Sequence, residues 1–179
     1  MLEPVLNELK KILTEKAWNT GFIAGGYLRD TILNRPTGDI DIFFPRWSSN
    51  SPVLKTVDAL FDFKEISNKY STVFKVREGD VLGQKVQLIT TGLSMVDMVS
   101  SFSVGLCQVY APLAHPTEIT IHVRFEKSVR DKTIYVKMPE DLSVGQQYKM
   151  FETLLPKIKK KYDWPIVISN YYGLTYKVD

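Results

Sequence analysis

The sequence predicts an α/β fold in which a mixed, mainly antiparallel sheet carries helices chiefly on one face. Three observations support this fold class. Apolar residues recur at helical spacing over residues 5–13. A short apolar run at 22–24 is followed by a glycine pair, a helical segment and a second apolar run at 39–44. Further segments of strand character fill the middle of the chain, so several strands can join one sheet.

The first elements have distinct local signals. Pro4 suits the first turn of a helix whose apolar residues share one face, namely Val5, Leu6, Leu9, Ile12 and Leu13. Residues 22–24 form a predicted strand, and Gly25-Gly26 turns the chain into a predicted helix at 27–33. Residues 39–44 alternate polar and apolar at first, as in a strand with one buried face, and Pro45 ends them.

Weaker patterns define the rest of the chain. We predict a helix at 53–61, strands at 63–66, 72–77 and 85–89, and a turn around Glu78, Gly79 and Asp80. A short helix is predicted at 93–102, and further strands at 106–110, 118–125 and 133–137. Ser143 can cap a final helix through Tyr162, which Pro156 should kink or divide.

Composition sets broad limits on function. The 179 residues have a net charge of +3, too small by itself to indicate an anionic partner. The single cysteine, Cys107, excludes an internal disulfide, and its neighbours favour a half-buried strand. No apolar run reaches the roughly 20 residues of a membrane span, and the N-terminus lacks the features of a signal sequence. We therefore expect a cytoplasmic protein without a membrane partner.

The chemistry is predicted from Gly25-Gly26-Tyr27-Leu28-Arg29-Asp30, followed nine residues after Asp30 by Asp39-Ile40-Asp41. Paired glycines at a helix start let backbone amides approach a phosphate, so Gly25 and Gly26 can cradle a triphosphate. Asp39 and Asp41 lie two apart on a strand, so both carboxylates project from one face and can share Mg²⁺ or Mn²⁺ ions. Two such metals promote nucleotidyl transfer. Either half of the pattern alone is usually structural, whereas their ordered combination favours function.

The segment from Gly25 to Asp41 resembles the signature of tRNA nucleotidyltransferases and bacterial poly(A) polymerases, within the DNA polymerase β superfamily. It is also similar to compact phage-encoded nucleotidyltransferase-like proteins, which would place the chain in a host cytoplasm. The resemblance implies the nucleotidyltransferase fold. It also implies that Gly25 and Gly26 hold triphosphate, that Arg29 supports phosphate binding or the loop, and that Asp39 and Asp41 bind catalytic metal. Asp30 is expected to orient Arg29 or its own helix.

The sequence departs from that superfamily at the third carboxylate, which a later strand beside the Asp-x-Asp strand usually supplies. Gln87 occupies the position expected for it, and an amide binds magnesium more weakly than a carboxylate does. Asp80 and Asp97 are fallback candidates, although a turn and a helix are expected there. Either catalysis relies on two carboxylates, or the protein binds nucleotide without transferring it.

Basic residues offer candidate contacts for phosphate or RNA. Lys69, Lys75, Arg77 and Lys85 lie on or beside the middle strands, where alternation is equally compatible with a solvated face. A second lysine cluster occupies the final helix at 149–162 and can dock an RNA backbone or simply face solvent. His115 and His122 have no partner at metal-ligand spacing, so we expect both to be structural.

Together these features predict two regions and one reaction. Residues 1–112 are expected to form a nucleotidyltransferase catalytic core, and 113–179 a C-terminal extension with strands and a lysine-rich helix. The expected reaction moves a nucleoside monophosphate from an NTP to a hydroxyl, with the 3′ end of tRNA or another RNA as acceptor. A protein hydroxyl or a small molecule is an alternative acceptor, and a catalytically impaired binding protein is the alternative function.

Overall fold

The computed structural model describes residues 2–47, 51–55, 63–67, 72–138, 143–169 and 175–178. They fall into two units: Met1–Val99 with Val109–Thr120, and Ser100–Gln108 with Ile121–Asp179. The catalytic role assigned above to residues 1–112 stays a prediction. None of the helices in the described ranges combines the length and apolar character that a membrane crossing requires.

The first unit is built around a sheet that crosses strands distant in sequence. Its helices are α1 (Leu2–Ile12), α2 (Glu15–Thr20), α3 (Gly26–Ile32) and α4 (Met95–Ser100), the last ending at the unit boundary. Its strands are β1 (Phe22–Ala24), β2 (Ile40–Phe44), β3 (Lys64–Ile66), β4 (Val73–Val81), β5 (Gln84–Thr91), β6 (Val109–Pro112) and β7 (Thr120–Ile121). The sheet order is β3-β4-β5-β2-β1-β6-β7. The predicted mixed sheet is confirmed: β2 and β5 run parallel, whereas β1 pairs antiparallel with β2 and β6.

Buried apolar residues explain the arrangement of the first elements. The inner face of α1 consists of Val5, Leu6, Leu9 and Ile12, at the spacing that the sequence predicted. All three residues of β1 are fully buried; Phe22 and Ile23 pair with both neighbouring strands, and Ala24 pairs with β6. Such a strand has no polar face, which is why its sequence is a continuous apolar run. The consequence is a rigid frame for the Gly25-Gly26 turn that follows it.

The helix predicted at 53–61 is not formed in the described residues 51–55. Leu54 forms an isolated bridge with Leu13, and Lys55 N–H donates to the Ile12 carbonyl at 2.7 Å. These bonds hold the backbone of 53–55 extended against the end of α1, so helical hydrogen bonds do not start there. The remainder of this prediction, 56–61, lies outside the described residues.

The turn predicted around Glu78, Gly79 and Asp80 is wrong, because β4 continues to Val81. Gly79 is a strand residue whose missing side chain makes room for Phe63: a Cβ there would lie 2.8 Å from the ring. The chain reverses instead at Leu82 and Gly83, with φ of 54° and 77°. Positive φ at both central positions defines the type I′ turn, which suits the twist of a hairpin.

This turn supports a first prediction. Leu82 is 64% exposed and has a left-handed backbone, so Leu82→Asn should raise the free energy of unfolding by about 0.5–1 kcal/mol in urea denaturation. Leu82→Ala is the matched control, since it removes the same exposed side chain without favouring positive φ. An Asn variant no more stable than the Ala variant would contradict the assignment of backbone strain to this position.

The second unit contains a three-stranded sheet, two helices and a short 3₁₀ helix at Gly105–Cys107. Its helices are α5 (Val123–Arg130) and α6 (Val144–Lys161), and its strands are β8 (Ile134–Lys137), β9 (Ile166–Ser169) and β10 (Thr175–Val178), in the order β10-β9-β8. Because β8 and β9 are parallel, the chain must cross over between them, and α6 makes this crossover. Ser143 and Gln146 form a capping box at its start.

Three sequence predictions in this region need correction. The strand predicted at 106–110 is replaced by the 3₁₀ helix, which contains Cys107, and by β6. The strand predicted at 118–125 ends at Ile121, because His122 caps α5 by accepting a hydrogen bond from Arg124 N at 3.3 Å. Pro156 does not divide α6, which runs unbroken to Lys161.

Candidate active site

A row of polar side chains crosses three strands of the seven-stranded sheet. Asp41 of β2 is the Cα partner of Gln87 in β5, and Gln87 is the partner of Glu78 in β4. Directly paired residues of adjacent strands point to the same face of a sheet. Ile40 and Ile42 alternate with Asp41 and are fully buried, so the polar row lies on the opposite face of the sheet from these two side chains.

Lys85 and Asp39 complete this group of charges. Lys85 Nζ lies 2.9 Å from Glu78 Oε2 and 3.8 Å from Asp39 Oδ2. The same Glu78 oxygen accepts a hydrogen bond from Gln87 Nε2 at 2.8 Å. These side chains reach solvent, so the ion pairs arrange charge more than they stabilise the fold. We refer to Asp39, Asp41, Glu78, Lys85 and Gln87 as the carboxylate cluster.

Two carboxylates of the cluster, Asp41 and Glu78, have pKa values shifted in opposite directions. Burial, and to a lesser extent the nearby Asp39 carboxylate, raise the pKa of Asp41 to about 7, against the opposing effect of Lys85. Hydrogen bonds from Lys85 and then from Gln87 lower the pKa of Glu78, and the hydrogen bond to Glu78 raises the pKa of Lys85. Asp41 is therefore a carboxylate whose negative charge the fold disfavours, and a cation placed against it would offset that penalty.

The Gly25-Gly26 turn connects β1 to α3 with a backbone that favours glycine at its first position. Gly25 has φ of 80° and ψ of −132°, and its N–H donates to the Val109 carbonyl at 3.1 Å. Its amide is thus committed within the sheet. Gly26 begins α3, where N–H groups have no acceptor within the helix. A Cβ at Gly26 would meet Arg29 Nη2 at an ordinary 3.6 Å, so packing within the chain does not require glycine there.

No protein family and no curated protein matches this sequence. Solved structures match its fold. The CCA-adding enzyme of Thermotoga maritima, complexed with tRNA, has a TM-score of 0.54 and 13% identity over 92% of this chain and 37% of that enzyme. Two further CCA-adding enzyme structures, one apo and one with ATP, each have a TM-score of 0.50, with 15% and 13% identity over 92% of this chain and 38% of theirs.

The chain has the nucleotidyltransferase fold. This confirms the fold that the resemblance of the segment from Gly25 to Asp41 implied. The chain spans little more than a third of the length of these matched enzymes. At such low identity the likeness concerns the fold alone, so the chemistry must be argued from this chain's own residues.

Arg29 and Asp30 form a buried pair beneath the turn of this nucleotidyltransferase fold. Arg29 Nε donates to Asp30 Oδ1 at 2.7 Å, and the two side chains are 9% and 1% exposed. A guanidinium this deeply buried has little surface left for an incoming phosphate. Asp30 thus orients the Arg29 guanidinium, and the two roles predicted for Arg29, phosphate binding and support of the loop, stay predictions.

Of the predicted basic contacts that the structure describes, Lys85 alone lies in the carboxylate cluster. Arg77 pairs with Leu88 and Lys75 with Thr90, registers that place both on the opposite face of the sheet from Asp41. Lys75 also pairs with Glu65, with 3.1 Å between Nζ and Oε2. Lys69 lies outside the described residues. Phosphate or RNA contacts by Lys69, Lys75 and Arg77 stay predictions.

Glu78 is the carboxylate that sequence reasoning missed. Its assignment to a turn concealed it; counting back from the hairpin at Leu82 and Gly83 would have placed it opposite Gln87. The two fallback carboxylates have local partners instead, because Asp80 accepts from Gly83 N and Asp97 from Ser94 Oγ. Within the described ranges, no three His, Cys, Asp or Glu side chains form a cluster ready to hold a metal.

Proposed function

We propose that this chain transfers a nucleoside monophosphate from an NTP to a hydroxyl acceptor, with Mg²⁺ or Mn²⁺ held by Asp39 and Asp41. The observation that carries the proposal is the carboxylate cluster: an exposed Asp39 and a half-buried Asp41 at the start of β2, with the Lys85 ammonium already drawn toward Asp39 and Glu78. Its place beside the strand that leads into the Gly25-Gly26 turn supports a site for a metal-bound triphosphate.

The donor set fits a hard divalent cation. Mg²⁺ in nucleotide sites is commonly bound through one or two carboxylates, with substrate phosphates and water as further ligands. Asp39 and Asp41 offer carboxylate oxygens, and the raised pKa of Asp41 indicates a charge that a cation would stabilise. When bound, the metal would act as a Lewis acid on the α-phosphate and neutralise the leaving pyrophosphate.

The chain's own residues would act as follows in the proposed reaction. Asp39 and Asp41 bind the cation, Lys85 offsets negative charge beside them, and the Gly25-Gly26 turn admits the triphosphate close to the backbone. The acceptor hydroxyl gives its proton to solvent water, its oxygen bonds to the α-phosphorus, and the bond from the α-phosphorus to the oxygen leading to the β-phosphorus breaks. Pyrophosphate leaves with that oxygen, so one phosphoester bond replaces one phosphoanhydride bond.

For the acceptor we propose the 3′ end of tRNA or another RNA. This follows from the resemblance of the segment 25–41 to tRNA nucleotidyltransferases and poly(A) polymerases, and the matched structures are CCA-adding enzymes. The chain covers only the smaller part of those enzymes, which leaves a protein hydroxyl or a small molecule as the alternative acceptor.

A second candidate function is nucleotide binding without transfer. The observation that favours it is the Gln87 amide, which stands beside Asp41 in the strand register and donates to Glu78. Gln87 therefore adds no negative charge beside the proposed metal ligands Asp39 and Asp41. The Glu78 carboxylate, in turn, is bound by both Lys85 and Gln87. Such a protein would bind NTP with measurable affinity and release no pyrophosphate.

Label transfer separates these functions. The purified protein is incubated with Mg²⁺ or Mn²⁺, each α-labelled NTP in turn, and total cellular RNA and protein as acceptors, while pyrophosphate is measured in parallel. We expect label on RNA with stoichiometric pyrophosphate release. Label on protein would identify a protein hydroxyl as the acceptor and leave the proposed reaction standing. NTP binding without label transfer or pyrophosphate release would instead support the second candidate function, nucleotide binding without transfer.

A further inference from the structure

The second unit contains a cavity that the transfer reaction does not use. It has a volume of about 330 Å³ and is lined by Arg124, Lys127, Tyr135, Val167 and Ser169. Arg124 and Lys127 are three residues apart on α5, a spacing that puts both side chains on one face of a helix. Tyr135 and Val167 are direct partners on β8 and β9, so they share one face of the three-stranded sheet.

Arg124 brings a charge to this cavity that no carboxylate in the described ranges neutralises. Its Nη1 and Nη2 contact the carbonyl oxygens of Phe102 and Ser103, both at a long 3.5 Å. Burial lowers the pKa of Arg124, yet a guanidinium remains protonated in proteins. Within the described ranges, the guanidinium of this half-buried residue bonds only to these two carbonyl groups, at long distance, so its charge is poorly compensated. An anion with two acceptor oxygens would compensate it.

Lys127 adds a second cation beside the Tyr135 ring. Its Nζ lies 3.6 Å from the centroid of the Tyr135 ring. The Tyr135 hydroxyl donates to Asp131 Oδ2 at 2.8 Å, and Arg130 Nε donates to Asp131 Oδ1 at 3.0 Å. Two donors therefore already bind the Asp131 carboxylate, and their hydrogen bonds lower its pKa more than the charge of Lys127 does. The hydrogen bond from Tyr135 to Asp131 orients the ring against which the Lys127 ammonium is held.

The remaining lining groups favour a ligand that is more than a simple ion. Val167 and the Tyr135 ring present apolar surface, while Ser169 Oγ makes a long 3.4 Å contact with the Val136 carbonyl and can turn to donate elsewhere. Lys137 pairs with Ser169 across the two strands and lies exposed on the same face. Cationic donors beside an aromatic ring are the combination that binds the phosphate and adjoining sugar or base of a nucleotide.

We propose that this cavity binds a phosphate group carried by a single-stranded RNA or by a free nucleotide, with Arg124 and Lys127 as its cationic donors. Arg124 offers its planar fork of N–H groups to two phosphate oxygens, and Lys127 offers a point charge to the same group. The proposal is independent of nucleotidyl transfer, because none of the five lining residues belongs to the carboxylate cluster.

The test measures binding in EDTA, so that metal-dependent nucleotide binding at Asp39 and Asp41 does not contribute. The probes are a fluorescein-labelled 12-nucleotide RNA without terminal phosphate, followed by anisotropy, and ATP, followed by calorimetry. Lys127→Gln should weaken binding of the cavity's ligand about fivefold to tenfold, and for RNA it should lower the slope of log Kd against log salt by about 1. Lys10→Gln removes an equal exposed charge from α1 and should change Kd less than twofold.

Each outcome decides the proposal. A Lys127-dependent loss with the RNA probe identifies a backbone phosphodiester as ligand, and a loss with ATP alone identifies a nucleotide phosphate. Arg124→Gln should weaken binding of the same probe. If Arg124→Gln fails to fold, the variant at the exposed Lys127 decides by itself whether the cavity binds the probe. Wild-type affinity for both probes in Lys127→Gln, equal effects of Lys127→Gln and Lys10→Gln, or no binding of either probe to the wild type would overturn the proposal.

Discussion

Asp39→Asn and Asp41→Asn should each reduce label transfer from NTP at least about 1,000-fold, because each removes a carboxylate ligand from a metal site that supplies several kcal/mol of transition-state stabilisation. The substitution keeps the size of the side chain, and both residues reach solvent, so the fold should survive. Steady-state transfer with saturating Mn²⁺ and NTP gives the rate, and circular dichroism checks the fold.

Asp97→Asn is the matched control for this experiment. Asp97 is an exposed carboxylate of α4 that accepts hydrogen bonds from its own neighbourhood, so its loss should change the transfer rate less than twofold. Activity in Asp39→Asn and Asp41→Asn equal to that of Asp97→Asn would rule out Asp39 and Asp41 as the ligands of the catalytic metal. A selective loss in the two β2 variants would assign the reaction to this site.

The same Asp41→Asn variant should be more stable than the wild type in metal-free buffer at pH 8. The pKa of Asp41 is raised from 3.8 to about 7 in the folded protein, so between these values the folded state binds the proton that the unfolded state releases. Stability of the wild type therefore falls as the pH rises through this window and levels off above it. The asparagine variant has no such loss, so its advantage should grow from near zero at pH 4 to on the order of 2–4 kcal/mol at pH 8.

Urea unfolding in EDTA at several pH values measures this difference directly. Asp97→Asn again serves as control and should show no comparable pH-dependent gain. Mn²⁺ should raise the stability of the wild type at pH 8 and leave Asp41→Asn nearly unchanged, because a ligand that binds the folded state stabilises it by mass action. An asparagine variant less stable than the wild type at pH 8 would show that the Asp41 charge is not disfavoured by the fold.

Local signals were sufficient to predict the fold around the glycine turn. Three local patterns predicted it: the apolar run at β1, the glycine pair and the alternating start of β2. Each results from a requirement that involves only a few neighbouring residues, such as full burial of β1 or a positive φ at Gly25. The structure accordingly has these elements within one or two residues of the predicted bounds. The predicted roles of Asp39, Asp41, Gly25, Gly26 and Arg29 stay predictions until the transfer and binding experiments are made.

What the sequence could not predict depends on pairing between distant residues. Glu78 lies beside Gln87 because of the register between β4 and β5, and this register cannot be predicted once the turn is misplaced. A strand has a period of two, so a shift of one residue already moves every side chain to the other face. α5 begins where His122 happens to cap it, although the preceding residues alternate as a strand does. β9 and β10 have ordinary strand compositions, yet their presence depends on the crossover through α6.

The position of β1 between β2 and β6 constrains how the chain can fold during synthesis. The hairpin of β4 and β5 closes locally, whereas one edge of β1 stays unpaired until residues 109–112 have left the ribosome. An apolar strand with an open edge can pair with other chains, so nascent or truncated forms ending before residue 109 should aggregate or require chaperones.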